Sequence, residues 1–362
     1  MSNNLPDSRE KKGASGARNT LSIIFMSLVA IMTLSFSIVL LIKNASLQRE
    51  TDAVKSELDT MDKEHFFTEG EMGSRIEEAR IEAAENADRA LKEDIKKRLE
   101  EGEGPNSIFK SLFPDELVVA RNNRYYFFPI SDKIAHHDFK PDDFEFDDKG
   151  FLQYKGEKKD FKYKHGIDVS RFQGKIDWAK VKNAGIEFAI IRACYRGITE
   201  GLIIDDETFE DNIKGATENG IDVGVYVYSQ AINKEEALEE ANHVIEMIEP
   251  YKITYPVVID IESADSDNAR TLNLSAKEYE EVANVFCNRV EEAGYKSMVY
   301  GNLLSFTVLM NAENVDNRDI WFAQYNSSLY YPYHFNIWQY TASGKVPGIE
   351  KNVDLNICIT EY

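Results

Sequence analysis

Cysteine is scarce in this chain, and what there is does not pair. Cys194, Cys287 and Cys358 are odd in number, far apart and without C-x-x-C spacing, which argues against both a disulfide framework and a cysteine metal site and leaves them as small core residues. Basic charge is also short. Lys and Arg number 42 against 63 Asp and Glu, a net charge of −21. Nucleic acid calls for a basic patch, so that partner class is set aside, as is simple attraction to an anionic cell surface. The adjacent pair His136-His137, beside Asp138, does not make a metal site, because neighbouring histidines cannot easily share one ligand geometry and no third ligand is spaced for it. A loop is expected there, and neither metal nor cofactor is expected anywhere.

What the sequence does have is one long uncharged run. Residues 21–42, "LSIIFMSLVAIMTLSFSIVLLI", carry no charge and are long enough to cross roughly 30 Å of hydrocarbon as a helix. A cleavable signal would have a shorter apolar core and a small-residue cleavage site, and none follows. Arg9, Lys11, Lys12 and Arg18 precede the run while only Lys43 and Arg49 follow closely, so residues 1–20 are expected to be a cytoplasmic tail and everything beyond residue 43 to face outward. The expected location is the cell membrane, crossed once, with the large domain outside.

Residues 43–105 read as a helical stalk. Leu47, Val54 and Met61 recur every seven residues, and Ile76, Ala79, Ala83, Ala87 and Ala90 continue at helical spacing among dense charge. The seam is mostly alanine and "FFTEGEMGS" interrupts it, so a solvated single helix competes with weak self-association. The helix should stop at "EGEGP". Residues 106–164 read as a small β-rich module with hairpin turns at Asn122-Asn123 and at Asp148-Lys149-Gly150.

From 165 to 362 the chain alternates strand and helix. "HGIDVS", "FAIIRA", "VGVYVYS" and "YPVVIDIE" each precede a helical pattern, and then "KSMVYG", "IWFAQY", "NIWQY" and "VDLNI" crowd together with little room for helices. Alternation implies a parallel sheet, and eight strands with fewer helices imply an irregular TIM-like (β/α) barrel. Catalytic groups in such barrels sit at the carboxyl ends of strands. Asp168, Asp260, Glu262 and Asp354 would then converge on one mouth. Asp260 and Glu262, at i and i+2 of a strand, lean to one side. Aromatics gather at the same end: Tyr226, Tyr228, Tyr300, Trp321, Tyr325, Trp338 and Tyr340. With Gln339 they suit sugar rings, core packing being the competing role for about half of them.

The motifs "GIDVSRFQGKIDW", "FAIIRACYRG", "GVYVYSQA", "PVVIDIE", "IWFAQY", "IWQYTASGKVPGI" and "VDLN" resemble, in order and near spacing, those of the glycoside hydrolase family 25 lysozymes, over residues 165–362 and none of the first 160. The resemblance implies an N-acetylmuramidase that cuts the β-1,4 bond between N-acetylmuramic acid and N-acetylglucosamine in peptidoglycan, and it maps the active-site acids onto Asp168, Asp260, Glu262 and Asp354. In that frame Glu262 is the general acid, its pKa raised by its acidic neighbours. Asp260 orients the substrate's own 2-acetamido group for attack on the anomeric carbon, and Asp168 and Asp354 hold the proton network. An enzymic nucleophile remains the alternative for the mechanism. A wall-binding scaffold without turnover remains the alternative for the function.

Overall fold

Inward and outward side chains alternate along the barrel strands except at bulges on β6 and β12, and that parity decides which residues reach the site. The computed structural model describes residues 14–60, 67–121, 123–140, 142–315 and 317–362, and the chain divides into two compact units, residues 1–94 and 95–362.

In the first unit α1 (Ala14–Thr60) is a single helix of 47 residues. Within it Val29–Ser56 is long and apolar enough, by length and composition, to cross a membrane. The helix α2 (Glu69–Glu100) opens on a capping box: the Thr68 N–H donates to Glu71 Oε2 at 2.8 Å while the Glu71 N–H donates to Thr68 Oγ1 at 3.3 Å. No residue of α2 is buried, and pairs such as Asp88–Lys92, 2.6 Å apart, line its surface. The heptad residue Met61 lies outside the described residues.

The second unit begins in the last turns of α2, where Arg98 is held by Glu103 at 2.7 Å and donates to Ser111 at 2.8 Å. Pro105 at the first turn of α3 (Pro105–Leu112) marks the break expected at "EGEGP". Strands β1 (Glu116–Arg121) and β2 (Arg124–Pro129) form an antiparallel hairpin whose turn holds Asn123 at φ 58°. Strands β3 (Phe144–Phe146) and β4 (Leu152–Tyr154) form a second, turning through Gly150 at φ 83°. Both hairpins pack on the barrel. The Val118 N–H donates to Tyr330 Oη and the Ser131 N–H to Tyr333 Oη, each at 2.8 Å, and Phe144 meets Trp338 edge-on with centroids 5.4 Å apart. In the loop between the hairpins, His136 and His137 engage backbone carbonyls of Ser131 and Tyr331 at 2.9 and 2.7 Å.

The barrel follows as β5 (Lys164–Val169), α4 (Trp178–Asn183), β6 (Phe188–Arg196), β7 (Ile203–Asp205), α5 (Phe209–Glu218), β8 (Asp222–Tyr228), α6 (Lys234–Ile248), β9 (Val257–Asp260), α7 (Ala276–Glu292), β10 (Ser297–Asn302), β11 (Asp319–Ala323), β12 (Ile337–Gly344) and β13 (Val353–Cys358). Eight strands close in the order β5-β13-β12-β11-β10-β9-β8-β6, with β6 returning to β5 and the short β7 added outside. Among the described residues α-helices follow only the first half of the strands, with a π-helical turn at Ser305–Leu309 and a 3-10 turn at Ala312–Asn314 after β10, in keeping with the crowding of the last motifs. The expected parallel sheet needs one correction: β13 runs antiparallel to both β12 and β5. Short connections leave no room for a crossover helix, so the last strand must reverse.

Phe188, Ile190, Val258, Met298, Trp321 and Ile337 fill the barrel interior. Their strand neighbours Ala189, Ile191, Val257, Ile259, Phe322 and Trp338 face outward against helices and hairpins in the larger core. Gly166 faces the interior because the Phe188 ring lies 2.2 Å from where a Cβ would sit. The three cysteines are free and buried.

Candidate active site

Inward parity carries a series of polar residues to one mouth of the barrel. On β5 the inward positions are Gly166 and Asp168; on β9 they are Val258 and Asp260; on β13 they are Asp354, Asn356 and Cys358. Asp354 is the second residue of β13, and because that strand is reversed, its beginning meets the ends of its neighbours. Asp354 and Asp168 are direct register partners. Asp260, the last residue of β9, is flanked in register by Tyr228 of β8 and Tyr300 of β10. Glu262 follows in the segment after β9, and its Oε1 lies 3.4 Å from Asn302 Nδ2. All four acids line one cavity of about 710 Å³ together with Tyr226 and Tyr228.

Burial dominates the electrostatics. Asp168 and Asp260 are 7% and 6% exposed, and burial, then a carboxylate neighbour (Asp354 for Asp168, Glu262 for Asp260), pushes both pKa values well above the ordinary range. Burial also raises Asp354 to about 6. Glu262 is raised first by burial, with Asp354 adding to it and the Asn302 contact opposing. The direction expected for Glu262 holds, but its cause is mainly desolvation, not its acidic neighbours.

Asp168 is fixed by amides. Its Oδ2 accepts from Gln339 Nε2 and Asn356 Nδ2, each at 2.8 Å. Gln339 Oε1 in turn accepts from Tyr300 Oη at 2.9 Å and Tyr325 Oη at 3.1 Å, and Asn356 Oδ1 accepts from Trp321 Nε1 at 2.8 Å. Asp260 differs: its Oδ1 is buried and has no hydrogen-bond partner among the described residues.

The expected aromatic set therefore divides. Tyr226 and Tyr228 line the cavity. Tyr300, Trp321 and Gln339 are buried in the barrel interior, where they hold Asp168 directly or through one intermediate, and Tyr325, 57% exposed, touches the same network. Trp338 and Tyr340 do not belong to the site. They face outward into the core shared with the hairpins, Trp338 donating to the Gln324 carbonyl at 2.8 Å. Trp338 and Gln339 are strand neighbours, so only one of them can face the interior.

Other residues reach the cavity without having been singled out. Arg192 is inward on β6 two positions after Ile190, a parity signal present in "FAIIRACYR". Tyr195 is three residues further on and would face outward in a regular strand. A bulge between Arg192 and Cys194 shifts the register so that Tyr195 pairs with Tyr228 and joins the cavity. Phe172 and Leu202, 59% and 67% exposed, complete that side.

The model of glycosyl hydrolases family 25 matches residues 167–349. The chain belongs to that family. It is similar to the uncharacterised protein YegX of Escherichia coli strain K12, at 30% identity over 206 residues, 53% of this chain and 68% of that one. It is also similar to Lysozyme M1 of Streptomyces globisporus, at 30% identity over 201 residues, 53% of this chain and 66% of that one. Among solved structures, the modular autolysin LytC from Streptococcus pneumoniae aligns with TM-score 0.50 at 25% identity, covering 66% of this chain and 51% of LytC. The chain thus spans about half the length of LytC. The family 25 match lies wholly within the second unit.

Proposed function

We propose that this family 25 protein is a membrane-tethered N-acetylmuramidase that cleaves the β-1,4 bond between N-acetylmuramic acid and N-acetylglucosamine in peptidoglycan. The observation that carries the reading is Asp260 Oδ1, a buried acceptor without a hydrogen-bond partner among the described residues, in the same cavity as the partly buried acid Glu262. Buried acceptors are normally satisfied, and the N–H of a sugar 2-acetamido group is the donor this one suits. Two lysozymes among the relatives support the same substrate class, as does the LytC structure described in complex with a synthetic peptidoglycan ligand.

In the proposed reaction Glu262, kept protonated by burial, gives its proton to the glycosidic oxygen as the bond to the anomeric carbon breaks. Asp260 holds the acetamido N–H so that the acetamido carbonyl oxygen bonds to the anomeric carbon. Glu262, now a carboxylate, takes a proton from water, whose oxygen attacks the same carbon and reopens the ring with the β configuration kept. Asp168, immobilised by Gln339 and Asn356, and Asp354 set the charge around the pair. The apolar helix α1 supplies the tether, with the N-terminus cytoplasmic and the barrel outside.

The test is product analysis of digested peptidoglycan. New reducing ends on N-acetylmuramic acid are expected. Reducing ends on N-acetylglucosamine alone, or no cleavage, would defeat the proposal.

A further inference from the structure

One wall of the catalytic cavity is a loop held mainly from outside itself. Residues 197–202 join β6 to β7, and Ile198, Thr199, Glu200 and Leu202 of this loop line the cavity. Two backbone hydrogen bonds close the turn, from the Gly201 N–H to the Gly197 carbonyl at 3.0 Å and from the Gly197 N–H to the Leu202 carbonyl at 2.8 Å. Leu202 is exposed, so the loop has little apolar burial of its own to resist local opening.

Arg270 supplies the hold. It comes from the segment that runs through Glu262 from β9 to α7, and its backbone N–H donates to the Ile198 carbonyl at 3.0 Å. Its Nη1–H and Nη2–H reach the two carboxylate oxygens of Glu236, in the first turn of α6, at 2.8 and 2.7 Å. The two side chains are only 16% and 19% exposed, and a bidentate fork fixes direction as well as distance. The same guanidinium packs on Gly201, where a Cβ would collide with Nη1. Arg196 holds Gly201 by its carbonyl, donating Nη1–H at 2.7 Å, and is itself buried against Glu240 at 2.6 Å. Gly201, at φ 69°, thus touches two guanidinium groups, and its missing side chain is what lets Arg270 reach Glu236. The reacting acids are supported separately. The Asp260 carbonyl accepts from the Ser229 N–H at 3.0 Å, the Ile261 N–H donates to the Tyr300 carbonyl at 3.1 Å, and Glu262 meets Asn302.

We propose that Arg270 is a positioning residue that braces the 197–202 loop against α6, so that this wall of the cavity is formed before the glycan arrives. Its effect falls on substrate binding and not on proton transfer. The inference rests on the muramidase reading for its substrate. Without the brace the loop samples arrangements in which the wall is absent, and apparent affinity falls with the fraction of molecules that keep it. The chemistry at Glu262 and Asp260, which Arg270 does not touch, proceeds as before once substrate is bound.

The experiment uses the full chain in detergent micelles with soluble peptidoglycan fragments. Arg270→Gln should raise KM about tenfold, as when a tenth of the molecules keep the wall, with kcat and the pH profile unchanged. Arg270→Lys should recover little, because a point charge does not span both oxygens of Glu236. Gly201→Ala leaves Arg270 in the chain but obstructs it, so it should raise KM in the same way, and the double variant Arg270→Gln with Gly201→Ala should lose little more than Arg270→Gln alone. In hydrogen exchange the amides of residues 198–202 should exchange faster in Arg270→Gln while those of β9 and β13 keep wild-type rates. Should Arg270→Gln fail to fold, Arg270→Lys and Gly201→Ala carry the same readouts. Unchanged exchange in the loop, a fall in kcat at constant KM, or losses that multiply in the double variant would each overturn the brace. Faster exchange throughout the barrel would make Arg270 a general support of the fold and end the proposal too. A wild type that cuts no peptidoglycan would sink the muramidase reading, and the exchange rates would still judge the brace.

Discussion

Asp354 and Asp168 face each other across an antiparallel strand pair, two carboxyl groups in direct register. Neither is paired with a cation among the described residues; Asp168 is met by amides. Burial lifts Asp168 well above the carboxylate range and Asp354 to about 6, so the folded protein holds protons here that the unfolded chain releases. An acid raised in this way contributes stability that is full below its unfolded pKa, about 3.9, and is lost as pH rises through the folded value. Asp354→Asn should therefore raise Tm relative to wild type at pH 7 and give little gain at pH 4. A domain of this size gains about 2–4 °C per kcal/mol. Thermal unfolding at the two pH values checks it; equal shifts at both would show that the pair stores no pH-dependent strain.

Glu262 sits in the same cavity, partly buried. Glu262→Gln keeps shape but has no acid proton to give, so hydrolysis should fall at least 10²-fold while the fold persists. Wild-type kcat/KM should fall as pH rises through the raised Glu262 value, above the pH at which an ordinary glutamic acid loses its proton. Initial rates across pH, with circular dichroism of the variant, decide the matter. Activity near wild type in the variant would remove Glu262 from its role.

Gln339 is the hinge of the network around Asp168, donating to the acid on one side and accepting from two tyrosines on the other. In Gln339→Glu an acid replaces the amide donor to Asp168, itself held protonated by burial, so at pH 7 the cost should be about 1–3 kcal/mol, the range for a buried polar group left unpaired. The loss should shrink at pH 4, where the two acids can share protons. Denaturant midpoints at both pH values measure it, and an unchanged midpoint at pH 7 would mean the amide does not hold Asp168.

Most of this architecture was legible because period-two alternation is visible in the chain itself. "YPVVIDIE" announces Val258 and Asp260 on one face, and "VDLNI" places Asp354 and Asn356 together. The same rule, applied to "IWQY", would have sent Trp338 outward as soon as Gln339 was assigned inward. What parity could not reveal was the reversal of β13, which depends on connection length, and the bulge after Arg192, which turns Tyr195 into the cavity without a glycine or proline to mark it. The weight of burial over neighbouring charge at Glu262 was also hidden, since desolvation belongs to the packed structure and not to residue spacing.

Asp260 gives the stereochemical test. If its orphan oxygen orients the acetamido group, Asp260→Asn should be severely impaired, the products should keep the β configuration, and a thiazoline analogue of the cyclic intermediate should inhibit. Proton NMR of early product distinguishes the outcomes. Inverted product would require a water attacking directly and would end the substrate-assisted version.

The proposed tether is tested by dividing the chain between its two units. Residues 165–362 carry 16 Lys and Arg against 32 Asp and Glu, so the barrel has no electrostatic attraction to an anionic wall or bilayer, and in the proposed reading retention at the membrane rests on α1, whose Val29–Ser56 segment meets the length and composition needed to cross. A chain lacking residues 1–94 keeps the whole second unit, including the Arg98–Glu103 pair and the start of α3. It should hydrolyse soluble glycan fragments like the full protein and appear in the soluble fraction, while the full protein stays with membranes and its barrel is cut by protease added outside intact cells. A truncated chain that remains membrane-bound, or a full-length barrel protected from external protease, would place the anchor or the orientation elsewhere.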